Sequence, residues 1–266
     1  METEKVNFNR EWCGGTSIGC INGCSNNCKY CYQRAGESKN GRINPEDWKN
    51  EKMRVEKNRK TYYRKARTRY NAPVMIPPSH DITPYTLLET LKIIKMSLDV
   101  GNQVLIVSKP RLDCIKILCS ELKDYNKFNI IMRFTICSTN SEVLKFWEPG
   151  ASTFEERLES LKYAYNQGYR TSISAEPLID PNVDDLVNQL KPYVTDSIWL
   201  GEVNKTSIRQ KLSLNGFKND IETQNKMTEI LDWQTNDFWL DTYNRYKDDG
   251  QISWKGKLKV LVGLAA

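Results

Sequence analysis

The sequence predicts an α/β protein built on a parallel sheet. Short apolar runs recur through the 266 residues, and stretches with helical periodicity separate them. The run from Gln103 to Ser108 is continuously apolar instead of alternating, as in a buried parallel strand covered by helices on both faces. An open doubly wound sheet and a barrel share this pattern.

Residues 16–19 form the first expected strand and lead into a loop rich in cysteine. Asn44-Pro45 then places a capping side chain and a proline at a helix start. Residues 73–76 read as the second strand. Thr83-Pro84 caps a helix that carries Leu87, Leu91, Ile94 and Leu98 on one face, and Gly101 ends it. Residues 103–108 make the third strand, a helix lies around 115–122, and 129–137 make the fourth strand. Residues 152–156 hold two overlapping capping boxes, which open a helix with Phe154, Leu158, Leu161 and Tyr165 on its face, ending at Gly168. A fifth strand at 171–175, a helix at 184–190 and a sixth strand at 197–200 follow. A helical region within 227–246 and a last strand at 257–262 close the chain. One domain over residues 1–266 is expected, with a basic helical segment at about 49–70 and a C-terminal helical and strand extension from about 205.

Hydrophobic residues make up 39% of the chain, and no apolar run is long enough to cross a bilayer. Eight cysteines without an export signal point to a reducing, cytoplasmic setting and no membrane partner. The net charge of +6 is uneven. Residues 49–70 hold ten Lys or Arg against two Glu, which leaves a slightly acidic remainder. Tyr62, Tyr63 and Tyr70 are interleaved with these cations, so the segment could track a nucleic acid by stacking and phosphate contact. A solvated helical face is the preferred explanation, because charge runs usually are that.

Cys24, Cys28 and Cys31 stand in the arrangement C-x-x-x-C-x-x-C. Three thiolates hold three corners of a cubane [4Fe–4S] cluster, whereas a full protein set needs four. The alternative is zinc held by Cys20 together with these three. Structural zinc sites generally use paired C-x-x-C units, and only one such unit occurs in this stretch. Cys13 and Cys20 flank the first strand with too few neighbours for a second cluster. Cys114 and Cys119 share a helix and are expected to pack as small apolar residues.

With Tyr30 before the third cysteine, the motif resembles the signature of the radical S-adenosylmethionine (SAM) superfamily. The resemblance implies a partial (β/α)6 TIM-type barrel with parallel strands and the cysteine loop after the first strand. It also implies that the open iron chelates the amino and carboxylate groups of SAM. An electron from the cluster then yields methionine and a 5′-deoxyadenosyl radical, which abstracts hydrogen from a substrate that the sequence does not name. A reductant such as flavodoxin or ferredoxin is implied as a partner.

In parallel barrels the chemistry sits at the C-terminal ends of strands. There the chain offers Ser79-His80-Asp81, Ser108-Lys109, Thr135-Ile136-Cys137-Ser138, Ser174-Ala175-Glu176 and Gly201-Glu202-Val203-Asn204. The sequence Cys28-Lys29-Tyr30-Cys31-Tyr32, the Ser108-Lys109 pair and the Arg133-Phe134-Thr135 strand ending in Ser138 resemble the spore photoproduct lyase branch. That resemblance implies SAM contacts from Tyr30, Ser79, Lys109 and Ser138, with Lys109 opposing the SAM carboxylate through a charge-assisted bond. Asp81 stands where the family's common Gly-Gly-Glu would be and is expected to accept from the SAM ammonium. His80, the one histidine, and Glu176 are the candidate catalytic residues; a carboxylate at Glu176 needs a cation or a hydroxyl pair such as a ribose. Strand parity turns either Cys137 or Ser138 inward, and the resemblance favours Ser138. The rival functions are a radical SAM enzyme that repairs or modifies nucleic acid, and a non-catalytic, metal-containing nucleic-acid-binding protein.

Overall fold

The computed structural model describes residues 16–264. The chain opens with a two-stranded antiparallel ribbon, β1 (Ile21–Asn22) with β2 (Lys52–Met53). Between them lie α1 (Tyr32–Lys39) and a 3-10 turn, Pro45–Lys49, capped as expected by Asn44, whose side chain accepts from the Glu46 N–H. After α2 (Glu56–Ala66) come β3 (Val74–Ile76), α3 (Leu87–Asp99), β4 (Val104–Ser108), α4 (Leu112–Glu121) and β5 (Ile130–Thr135). Then follow α5 (Ser141–Trp147), α6 (Phe154–Asn166), β6 (Arg170–Ala175), α7 (Val183–Leu190) and β7 (Ile198–Leu200). The chain ends with α8 (Ile208–Leu212), α9 (Ile221–Trp233), α10 (Asn236–Tyr246), β8 (Ile252–Trp254) and α11 (Lys257–Leu261).

Strands β3 to β8 form one parallel sheet in chain order, so each crossover returns to the next position, as in a TIM-type barrel left open. Two expectations need correction. The predicted strand at 16–19 contributes a single parallel bridge, Ser17 to Met75, at the β3 edge. The predicted strand at 257–262 is α11, and the last strand is β8, shortly after the end of α10.

All six residues of β5 are buried, because helices cover one side of the sheet and the barrel interior the other. On the inner side Leu105 and Ile131 pack with Met75 and Val107; above them Arg133 donates to Ser172 Oγ at 3.0 Å and stacks its guanidinium on Trp199. Each fully buried aliphatic side chain stabilises this core by about 1.5–3 kcal/mol. Thr153 caps α6 in the second of the two registers, accepting from the Glu156 N–H. The buried face of α6 is Phe154, Arg157, Leu161 and Ala164, so an arginine stands in the apolar stripe where Leu158 was expected.

Candidate active site

The C-terminal ends of the strands surround a cavity of about 490 Å³. Cys24, Cys28 and Cys31 line one wall of it, and Ser79, His80, Asp81, Lys109, Thr135, Ser174 and Glu176 contribute to the others. All three cysteines are free thiols on one short loop. Burial pushes each thiol above its ordinary range, so metal binding must displace protons from them. Cys31 also caps α1, its sulfur accepting from the Arg34 N–H at 3.4 Å, which places one ligand at the positive end of a helix.

Among the described residues, no three His, Cys, Asp or Glu side chains converge on a point as a single ion requires. The three thiols share the border of the cavity, which leaves space beside them for a cubane. Cys20 does not line the cavity; it is buried beside Glu89, and burial together with that carboxylate pushes its thiol up to about 12. The donor set is therefore three thiols, and it fits a cluster with one iron left for another ligand. Cys13 lies outside the described residues.

The loop is held on every side. Cys24 N–H donates to Trp48 O at 2.8 Å, Lys29 N–H to Trp147 O at 2.8 Å, and Ser25 N–H to Glu51 Oε1 at 2.9 Å. Gly150 lies against it so closely that a Cβ there would stand 2.0 Å from Ser25 O. From the C-terminal segment, Asn215 Nδ2 donates to both Lys29 O and Cys31 O, at 2.8 and 3.0 Å.

Asp81 faces the cavity, but its carboxylate is already engaged. Oδ1 accepts from the Lys109 N–H at 2.7 Å, and Oδ2 accepts from Asn26 Nδ2 at 2.9 Å and lies 3.7 Å from Lys109 Nζ. Burial raises its proton affinity, yet Lys109 and these donors outweigh it and hold the group ionised below its ordinary value. Lys109 Nζ in turn lies 3.8 Å from Glu148 Oε1. Burial opposes its charge, but Asp81, the Cys28 sulfur and Glu148 together keep it an ammonium. Glu148 is buried and accepts from the Tyr30 hydroxyl, while Arg157 Nη2 reaches its Oε2 at 2.5 Å. Asp81, Lys109, Glu148 and Arg157 thus form a charge-balanced chain behind the cysteine loop. Glu148 and Arg157 escaped the sequence reasoning, although the arginine within the apolar stripe of α6 was a readable signal.

Ser138 takes a different place from the expected one. It is buried, donates to Asp180 Oδ2 at 2.6 Å and accepts from the Asn140 N–H at 2.8 Å, so it steadies the entry to α5 and does not line the cavity. Cys137 does not line the cavity either: β5 ends at Thr135, which does, and Cys137 is buried beside Tyr30 and Glu148. Burial pushes that thiol up to about 12. His80 is also buried; its Nδ1 bonds Asp81 O at 3.0 Å, its Nε2 has no partner among the described residues, and burial holds the ring neutral. Ser79 lines the cavity. Glu176 pairs with Lys255, which directly follows β8: Nζ reaches Glu176 Oε2 at 2.6 Å and Ser174 Oγ at 2.7 Å. A Cβ on Gly201 would come within 3.0 Å of the Glu176 side chain, so the glycine makes room for this pair.

An open parallel barrel with three thiols at its mouth and a buried ionic brace behind them is an arrangement that fits a cluster-bearing α/β protein. The radical SAM superfamily model matches residues 18–190, and the chain belongs to that family, whose cofactors are a [4Fe–4S] cluster and SAM. No curated protein matches the chain in sequence. Among solved structures, Streptococcus suis SuiB bound to S-adenosylmethionine is 12% identical with a TM-score of 0.57, over 94% of this chain and 52% of SuiB. SuiB bound to its precursor peptide SuiA is 12% identical with a TM-score of 0.56, over 94% and 50%. A spore photoproduct lyase variant with dinucleoside spore photoproduct is 16% identical with a TM-score of 0.50, over 74% and 60%. These likenesses concern the fold, and the chain spans about half the length of SuiB. Among the described residues, no helix is long and apolar enough to cross a membrane.

Proposed function

We propose that this chain reductively cleaves SAM and uses the resulting 5′-deoxyadenosyl radical to abstract hydrogen from a substrate held in the same cavity. The observation that carries this is the set of three thiols lining one wall of a cavity whose other walls are strand ends. When bound by Cys24, Cys28 and Cys31, the cluster would supply one electron for cleavage of the SAM sulfonium. The protein's own residues bind and orient: Asn26, Asp81 and Lys109 fix the loop, and Tyr30 and Glu148 support it from behind. Lys109 lines the cavity with the cysteines and is the cation offered to the SAM carboxylate, and Ser79, Ser174 and Glu176 offer polar contacts for its amino and ribose groups. Holding the radical in a buried mouth keeps it from solvent side reactions. Anaerobic protein with dithionite and SAM is expected to release 5′-deoxyadenosine slowly without substrate, measured by mass spectrometry. Its absence from fully loaded protein contradicts the reading.

A nucleic-acid substrate finds little support in the basic segment. Tyr62, Tyr63 and Tyr70 are partly buried against the core, and the Tyr63 hydroxyl donates to Glu89, which leaves less of these rings for stacking on bases. Arg64, Lys65, Arg67 and Arg69 are exposed. They lie where α2 descends to the start of β3, with Thr68 O accepting from Asn102 at 2.9 Å, at the sheet end opposite the cavity. Changing all four to Gln is expected to leave a weak heparin retention unchanged. A nucleic-acid track would instead give a steep wild-type salt dependence, and its logarithmic slope would fall by roughly 0.7–0.9 for each phosphate the variant no longer neutralises.

A further inference from the structure

The cavity wall contributed by residues beyond 190 carries a cation that the cofactor does not account for. Among the described residues lining the cavity, Lys109 and Lys211 are the lysines, and no arginine joins them. Lys109 stands between Asp81 and Glu148. Lys255, behind the wall, is bonded to Glu176. Lys211 projects from α8 and is half-buried, and among the described residues it makes no ion pair. Glu202 borders the same mouth without pairing to it, and Glu176 is engaged by Lys255. Burial lowers the proton affinity of Lys211, opposed by Glu176 and the Cys31 sulfur, so its charge is only partly compensated. A half-buried ammonium without a close counter-ion is costly, and a bound anion removes that cost.

Resting on the radical SAM reading of this cavity, we propose that Lys211 anchors an anionic group of the substrate, a carboxylate or a phosphate ester. It would hold the rest of the molecule over the cysteine wall. The C-terminal segment supplies Glu202, Asn204, Ile208 and Lys211 to that mouth, outside the residues matched by the family model, so it is where substrate selection can differ from one relative to another.

The test uses cluster-loaded protein with SAM bound, titrated with inorganic phosphate and, separately, with acetate, against chloride at equal ionic strength. The thermal midpoint is expected to rise saturably with one of the two, since a ligand that binds only the folded state stabilises it. The stronger arm tells phosphate ester from carboxylate. Lys211→Gln should lose the saturable shift, Lys211→Arg should keep it, and Lys116→Gln, an exposed lysine on α4, should leave it intact. SAM affinity should be unchanged in Lys211→Gln. The proposal is overturned if the wild type shows no saturable shift, if the shift survives in Lys211→Gln, or if that variant loses about tenfold or more in SAM affinity, equivalent to about 1.4 kcal/mol. None of these readouts requires turnover, so 5′-deoxyadenosine release stands or falls independently.

Discussion

Alanine at Cys24, Cys28 or Cys31 is expected to abolish the cluster, whereas Cys20→Ala retains it. Each of the three lines the cavity and supplies a thiolate that no neighbouring side chain can replace. Cys20 is buried just before β1, near Glu89, and donates nothing to the cavity. Anaerobic reconstitution should give about four irons per wild-type chain and per Cys20→Ala chain, read by iron and sulfide assay and by visible absorption. Equal loss in Cys20→Ala would mean a fourth protein ligand and would close the iron that SAM needs.

Glu148→Ala carries the largest expected stability effect outside the cluster. It leaves the Arg157 guanidinium, fully buried and donating to Ser152 O and Thr135 O, without its counter-charge. Removing one partner of such a pair costs about 3–5 kcal/mol. Lys109 loses a neighbour and Tyr30 its acceptor at the same time. Tyr30→Phe, which removes one hydrogen bond, should cost only about 1 kcal/mol. The Glu148→Leu, Arg157→Met double variant should recover much of the loss, because it removes both charges together. Denaturant unfolding of the metal-free chain checks all three. A change below about 1 kcal/mol in Glu148→Ala would show that the brace is not structural.

The sheet was legible wherever apolar runs were long. β4, β5 and β6 fall within a residue or two of their predicted bounds: β4 and β5 are carried by apolar runs, and β6, which mixes Thr171, Ser172 and Ser174 with Ile173 and Ala175, is bounded by Gly168 and Pro177. The short edges were not. Ser17 makes one bridge, and Ile252–Trp254 is a three-residue strand that only its pairing with β7 distinguishes from a turn. Residues Lys257–Leu261 alternate polar and apolar side chains over too few positions to separate a strand from a helical turn. The cysteine wall of the cavity was readable because Cys24, Cys28 and Cys31 sit within eight residues. Its support was not, since Glu148, Lys255 and Asn215 come from distant segments and meet the site only through the crossovers. Ser138 shows the converse: a strand-end serine was drawn away by Asp180, a partner 42 residues on.

The mechanism rests on an open iron, and electron paramagnetic resonance of the dithionite-reduced, cluster-loaded protein tests that most directly. Three cysteines and one exchangeable position predict a [4Fe–4S]⁺ signal whose g values shift when SAM is added, because SAM takes the fourth iron. A signal that SAM leaves unchanged, in protein shown by dialysis to bind SAM, would contradict it.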